Sequence, residues 1–280
     1  MKSAFDRLRS FLKGATGIAL DEDKRYFAEA RLTPIARRFA EDSVENLMLR
    51  LDDGRDAAVA RCVIEAMTTH ETLFFRDCRP FELFSTVVLP QLLKARSRER
   101  AIRIWCAACS TGQEPYSLAM LLDEQARSLA GWRIEILATD ISAAALAQAR
   151  LAAYNQFEIQ RGLPVNLMLR YFSRHDDEWR LAEHMRARVE FRQLNLVSDF
   201  RGLGRFDVVF CRNVLLYFDA DVRADVLTRI AGVCRDDAVM VLGAAESVNS
   251  SDGTWRMHDA HSGLNVRRVH DTHLRLAASA

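Results

Sequence analysis

Phe206–Phe218, FDVVFCRNVLLYF, and Ile104–Ser117, IWCAACSTGQEPYS, decide how this chain is read. The first begins as a continuous apolar run of strand length. It ends in the polar pair Arg212–Asn213 and runs into a predicted helix carrying Tyr217. An apolar run without alternation belongs to a strand buried on both faces, as in parallel sheets. The second stretch is another such run. It breaks into small residues at Cys109–Gly112 and opens a helix near Pro115, where a preset φ suits the first turn. Two strand–loop–helix units of this kind put their loops at the carboxyl edge of one open α/β sheet, where ligands bind in such folds.

The same character recurs through the rest of the chain. AIRIWCAA (101–108), WRIEILATD (132–140), VEFRQLNL (189–196), FDVVFCRN (206–213) and DAVMVLGAAE (237–246) are near-continuous apolar runs. Helical patterns separate most of them, which predicts a parallel sheet covered on both faces. TWRMHDAHSGLNVRRV (254–269) holds two short runs around His261-Ser262-Gly263 and reads as a terminal hairpin. Five parallel strands and a hairpin are the layout of class I S-adenosylmethionine-dependent methyltransferases. A flavodoxin-like or dehydrogenase sheet has the same pattern up to the hairpin. Residues 173–191 interrupt the alternation and predict a small β insertion.

Before residue 100 the pattern is helical. Segments 20–39, 43–52, 55–67 and 80–95 carry apolar residues at three- and four-residue spacing. Pro34 predicts a kink or break in the first. The expected division is a helical domain with its linker over 1–75 and a sheet-bearing domain over 76–280. Arginines crowd the helical part: Arg25, Arg31, Arg37, Arg38, Arg50, Arg55 and Arg61. They suit either a solvated helix face or a basic surface for an acidic partner.

Composition narrows the function classes. A chain of 280 residues, 49% apolar, has enough material for a sizeable core, and a net charge of +1 gives no global case for nucleic acid or an anionic membrane. No apolar run approaches the roughly 18 residues of a membrane span. The start, MKSAFDRLRSFLKG, alternates charge and bulk like an amphipathic helix rather than a signal peptide. A cytoplasmic protein is expected. Cys62, Cys78, Cys106, Cys109, Cys211 and Cys234 lie mostly in apolar contexts, as buried thiols do in a reducing compartment. Cys106 and Cys109 form a CxxC, but no second pair completes a zinc site, and the spacing equally suits a tight loop. His258-x-x-His261 and His270-x-x-His273 lack a carboxylate partner motif and read as surface residues. No metal is expected. The tail LRLAASA is expected to fray.

The loops carry the chemistry. The loop after the first strand is neither GxGxxG nor a GK[ST] phosphate loop. With Glu114 in place of further glycines it suits a cationic ligand, and the sulfonium and ammonium groups of S-adenosylmethionine are cationic. Asp140 ends the second strand, where an acidic residue hydrogen-bonds ribose hydroxyls. It could instead cap the following helix, although Ser142 can do that. Asn195-Leu196, after the next strand, suits an adenine edge and face. TTHETLFFRD (68–77) mixes polar groups with two phenylalanines and an arginine. A linker lying across a cofactor would need such a mixture.

In this order, TTHETLFFRD, CAACSTGQEPYS, LATDIS, Asn195-Leu196 and FDVVFCRNVLLYF resemble the chemotaxis receptor methyltransferases, the CheR family. The resemblance runs from the helical part to the LGAAES strand. It implies an α/β fold: a class I methyltransferase (Rossmann-like) sheet with an N-terminal all-helical domain and a small β insertion. It implies S-adenosylmethionine as cofactor, with S-adenosylhomocysteine as product. The implied reaction methylates glutamate side chains on the cytoplasmic methylation helices of bacterial chemoreceptors, giving glutamate 5-O-methyl esters. Carried over residue by residue, it makes His70, Thr72 and Arg76 cofactor contacts of the linker. Glu114 holds the methionine end, Asp140 the ribose, and Asn195 and Leu196 the adenine. Arg212 and Asn213 line the cofactor from the fourth strand, and Arg76 and Tyr217 are the catalytic pair. Three positions depart from the family. His70 stands where asparagine is usual, Gln113 replaces a frequent glutamate, and 173–191 is short beside members whose β-subdomain grips a receptor tether, which counts against tether binding. The fourth strand lacks the [ND]PP[YF] of amide or adenine-amine methylation and the Pro-Cys of cytosine methylation. The rival reading is a non-catalytic signalling module that binds cofactor or receptor, and intact Arg76 and Tyr217 count against it.

Overall fold

The computed structural model describes residues 3–54, 56–248 and 253–268. Arg55, His270, His273 and the LRLAASA tail lie outside the described residues. Four helices come first: α1 (Ala4–Thr16), α2 (Arg25–Arg38), α3 (Val44–Asp52) and α4 (Ala57–Met67). A reciprocal capping box of Ser3 and Asp6 starts α1. Gly17, at φ 78°, ends it. A Cβ on Gly17 would stand 2.7 Å from a Val197 methyl group, so glycine is what lets α1 approach the rest of the chain. Pro34 neither ends nor splits α2. A proline costs one backbone hydrogen bond there, and the burial of Leu32 and Ala36 on either side holds the helix in place. Leu8, Leu12, Leu32, Leu47, Met48, Val59 and Val63 pack into a core belonging to these helices alone. A helical rod follows as Arg79–Leu83, a π turn Phe84–Val88 and Leu89–Ala95.

The strands, in chain order, are β1 (Ala101–Ala107), β2 (Arg133–Asp140), β3 (Ala153–Asn155), β4 (Phe172–His175), β5 (Glu178–Leu181), β6 (Val189–Gln193), β7 (Phe206–Cys211), β8 (Cys234–Leu242), β9 (Trp255–Met257) and β10 (Leu264–Arg267). The main sheet runs β6-β2-β1-β7-β8-β10-β9. Its first five strands are parallel, and β10 pairs antiparallel with both β8 and β9. Numbered along the main sheet, the order is 3-2-1-4-5-7-6. That order separates it from a flavodoxin-like sheet, and the antiparallel final pair separates it from a dehydrogenase sheet. The expected class I methyltransferase fold is what forms. The order reverses between β1 and β7, and this switch point sets the place for a ligand.

Successive residues of a strand face opposite sides. Ile104 therefore joins the core around Phe74, Phe84, Tyr116 and Phe210, while Trp105 joins the opposite one around Phe206, Leu227 and Trp255. The insertion differs from expectation. Its antiparallel sheet, β3-β5-β4, begins at Ala153 and closes at Leu181, with helices Gln156–Gln160 and Val165–Tyr171 inside it. Residues 189–193 already belong to the main sheet as β6. The early start is hard to see because β3 has three residues and sits between helical patterns. Tyr154 of β3 is fully buried, meets Phe74 edge-on at 5.1 Å and donates to the Thr111 carbonyl at 2.9 Å. The insertion thereby braces both the linker and the first loop.

The opposite edge of the sheet is pinned by charge. Asp207, 1% exposed, accepts from Arg96 Nε and from the Arg103 backbone, each at 2.8 Å. Arg96 also pairs with Asp237. Asp207→Ala leaves the buried guanidinium short of a partner and should cost about 3–5 kcal/mol. Urea denaturation with an unchanged slope checks this, and a loss under about 1 kcal/mol would mean that Asp237 compensates.

Candidate functional site

The sheet order lays the polar loop residues out in a row. Asn195–Leu196 follow β6, Asp140 ends β2, Ser110–Glu114 follow β1, and Arg212–Asn213 follow β7. Three strand spacings make the row roughly 14 Å long, the scale of a nucleoside with an amino-acid tail. One cleft along it is lined by all the residues singled out in the sequence: His70, Thr72, Arg76, Glu114, Asp140, Asn195, Leu196, Arg212, Asn213 and Tyr217.

Arg212 is the hub. Its side chain is 1% exposed, and its guanidinium pairs with Glu114 Oε2 and Asp77 Oδ2, each at 2.8 Å. It also donates to the Arg76 carbonyl at 2.7 Å. Its Nε–H is buried without a partner among the described residues. Burial raises the pKa of Glu114, with the Arg212 charge pulling the other way. The second Glu114 oxygen is left without a hydrogen bond among the described residues.

Asp140 sits at the centre of the row, 5% exposed. Its carboxylate accepts from the backbone of Ser110 at 2.8 Å and of Ser142 at 2.9 Å. Ser142, not Asp140, caps the next helix, Ala143–Leu151. Burial raises the Asp140 pKa against those two N–H donors. The surrounding loops hold backbone that ordinary residues avoid: Ala108, Ser110, Asn213, Phe75, Asp77 and Cys78 all have positive φ. Such strain gathers at functional sites, where surrounding contacts enforce it.

Among the described residues, Arg76, Tyr217, Thr72 and the Asn213 amide bring free hydrogen-bonding capacity to the cleft. Arg76 donates only to the Glu71 carbonyl, at 2.7 Å, and forms no ion pair among the described residues. Tyr217 is half-buried, and its hydroxyl has no partner among the described residues. Tyr217 lies in a single 3-10 turn, Leu215–Tyr217, and not in a helix as the sequence suggested; the helix begins at Ala220.

Asn195 is placed at the cleft but spends its amide elsewhere. Nδ2 donates to the Ala15 carbonyl at 2.7 Å, and Oδ1 accepts from Val197 N at 3.2 Å. Sequence reasoning missed the reason: the helical part forms a wall of the cleft. Thr16, Ile18 and Met67 line it, and Ile18 bridges to Phe218. Glu65 of α4 takes a hydrogen bond from the Ser142 hydroxyl. No local pattern in 15–18 signals this. His70 bonds to Thr68 Oγ1 through Nε2, at 3.0 Å, and its carbonyl accepts from Ser110 Oγ.

The two cysteines of the CxxC are free thiols rather than a disulfide. Cys106 and Cys109 are buried, and burial pushes both thiols well above their ordinary pKa. The His258 and His261 rings lie with centroids 5.0 Å apart, tilted by 33°. Among the described residues no group of three or more His, Cys, Asp or Glu could hold a metal, and no helix is long and apolar enough to cross a membrane.

Residues 70–264 match the family model described as CheR methyltransferase, SAM binding domain. The chain belongs to this family. It is 40% identical over 267 residues to chemotaxis protein methyltransferase 1 of Pseudomonas aeruginosa, covering 94% of this chain and 97% of that one. Chemotaxis protein methyltransferase Cher2 of Pseudomonas putida is 38% identical over 264 residues, covering 93% and 96%. A chemotaxis protein methyltransferase of Borreliella burgdorferi is 30% identical over 266 residues, covering 89% and 90%. The chain is therefore an S-adenosylmethionine-dependent CheR methyltransferase.

The cleft fits that cofactor. Glu114 and Asp140 retain acceptor capacity for an ammonium and for ribose hydroxyls, and the orphaned Nε–H of Arg212 suits a carboxylate. The raised pKa values then set a pH dependence. Glu114 must be ionised to attract the ammonium and Asp140 must be ionised to accept from both ribose hydroxyls, so binding lowers their pKa and releases protons when the free carboxylates are protonated. Affinity should hold at alkaline pH and fall as pH drops into the mildly acidic range, before ordinary carboxylates near about 4 would protonate. Calorimetric titration across pH checks this. Glu114→Gln should weaken binding and flatten the profile, whereas a wild-type affinity that stays level down to about pH 4 would remove the argument.

Proposed function

We propose that this chain methylates glutamate side chains of bacterial chemoreceptors, forming glutamate 5-O-methyl esters, in the cytoplasm. Family membership supports the methyl transfer, and relatives named as chemotaxis protein methyltransferases support the receptor as acceptor. The observation that carries the acceptor chemistry is Arg76, which forms no ion pair among the described residues, beside the unpartnered Tyr217 hydroxyl in a cleft whose hub arginine is already ion-paired.

A glutamate carboxylate, with a reference pKa near 4.3, is ionised at neutral pH and needs no general base. Its weakness as a nucleophile is hydration. Val214 and Leu216 put apolar surface on the cleft wall beside Tyr217, which favours an acceptor stripped of water. The Arg76 guanidinium is the free cation that can orient the carboxylate, and the Tyr217 hydroxyl can donate to it. S-Adenosylmethionine, when bound, supplies an electrophilic methyl group on its sulfonium. Thr72 completes the linker side, Asp140 takes the ribose, and Leu196 offers an apolar face to the adenine, with Asn195 beside it through its backbone.

Residues 1–75 serve in this reading as the receptor-docking domain with its linker, and 76–280 as the cofactor-binding domain. The basic surface is narrower than the sequence suggested. Arg25 pairs with Glu22, Arg50 pairs with Asp56 and Glu41, and Arg31 donates to the Ala66 and Thr68 carbonyls. Arg37, Arg38 and Arg61 are exposed without a carboxylate partner among the described residues. These three are the groups left for an acidic receptor helix.

Radiolabelled S-adenosylmethionine and receptor-containing membranes test the reaction. Base-labile label on the receptor is the expected result. Absent label with cofactor still bound would favour the non-catalytic module. Arg76→Ala should lose on the order of 100-fold or more in rate and Tyr217→Phe only a modest factor. Wild-type rates for both would remove the assignment. Added salt should weaken receptor methylation more than cofactor binding, because exposed arginines are screened. Equal salt sensitivity would count against docking by Arg37, Arg38 and Arg61.

A further inference from the structure

We infer that Glu246 is a positioning residue for methyl transfer, because its carboxylate holds the Asn213–Tyr217 turn that brings Tyr217 to the cleft. The inference rests on the role proposed for Tyr217. Glu246 follows β8 and does not itself line the cleft. Its Oε2 accepts from the backbone of Asn213 at 2.7 Å and of Gly243 at 2.9 Å. Its Oε1 accepts from Val214 at 2.9 Å, Leu215 at 2.8 Å and Leu216 at 3.3 Å.

Successive backbone N–H groups converging on one point form an anion nest. Here the anion is supplied by the chain itself. The turn needs it for two reasons. Asn213 is held at φ 58°, a conformation that neighbouring contacts must enforce. The 3-10 turn Leu215–Tyr217 is too short to satisfy its own leading N–H groups. Glu246 meets both needs from one side, while the Ala19 N–H holds the Tyr217 carbonyl at 2.8 Å from the other. Gly243 keeps the carboxylate seated. A Cβ there would stand 2.8 Å from Glu246 Oε2 and 2.9 Å from Asn213 Nδ2.

The consequence is a split between chemistry and cofactor binding. Asp140 and Glu114, the contacts read for the cofactor's ribose and ammonium, form no hydrogen bond with Glu246; Glu246 reaches the cofactor side only through its charge near Glu114 and the backbone of Asn213, so Kd should change less than kcat. Glu246→Gln keeps the shape but turns an amide NH₂ toward backbone donors, so the turn must move. The experiment measures kcat, cofactor Kd and the thermal unfolding midpoint for Glu246→Gln, Tyr217→Phe, the double variant, and Gly243→Ala. Gly243→Ala retains the carboxylate and presses on it, so it still reads the nest if Glu246→Gln folds poorly.

Glu246→Gln is expected to lower kcat by about as much as Tyr217→Phe does, with Kd changed by less than that factor. Gly243→Ala should shift kcat in the same direction. In the Tyr217→Phe background, Glu246→Gln should cost less than about 3-fold, because coupled residues are non-additive. Wild-type kcat for both Glu246→Gln and Gly243→Ala would overturn the inference. So would a Kd loss parallel to the kcat loss, or a full kcat loss persisting in a slowed Tyr217→Phe background. A wild-type rate for Tyr217→Phe alone instead overturns the role of Tyr217, and with it the route from Glu246.

Discussion

A guanidinium buried at the carboxyl edge of the sheet is the constraint on which the cleft depends. Arg212 is almost fully enclosed, and a buried charge is tolerated only when paired and hydrogen-bonded. Its partners come from separate stretches of chain: Glu114 from the helix after β1, and Asp77 with the Arg76 carbonyl from the linker. Satisfying Arg212 draws the linker down over the switch point between β1 and β7. The linker then follows a strained path, with positive φ at Phe75, Asp77 and Cys78, and Phe74 is wedged into the core beneath it. Arg76 owes its place at the cleft to an ion pair in which its own side chain takes no part.

Around that hub the cleft divides its charges by task. Glu114 and Asp140 are buried, and burial, the largest cause, pushes their pKa upward. A cationic group beside Glu114 reverses that penalty, so the same desolvation that disfavours its charge in the free protein strengthens its attraction for a cation. The carboxylate of Glu246 spends its acceptor capacity on backbone donors and serves conformation. Among the described residues, Arg76 and the Tyr217 hydroxyl keep donors free toward the cleft, as do Thr72 and the Asn213 amide.

The helical part has its own core, yet it is also a wall of the cleft. Asn195 is tied to Ala15, Ile18 is bridged to Phe218, and Glu65 reaches Ser142 at the start of the helix after β2. Lys13 pairs with Asp219 at the start of the helix after the Tyr217 turn. Among the helices of this part, α1 and α4 supply these contacts to the cofactor row and to the helix after the Tyr217 turn.

Much of this was legible along the chain because the signals are local. Apolar runs buried on both faces reveal the parallel strands, and small-residue breaks reveal the loops that carry Glu114, Asp140 and Arg212. The order of motifs sufficed to indicate the family and the residues of the cleft. The tertiary structure alone decided how those residues are spent. Asn195 gives its amide to Ala15, Arg31 and Arg50 serve the helical part's own contacts, and Glu246 becomes the anchor of the Tyr217 turn. The insertion's early start at β3 was hidden for the same reason. Strand periodicity is a property of neighbouring residues. Hydrogen-bond commitment is a competition among groups that only the folded chain brings together, so no local pattern can announce its outcome.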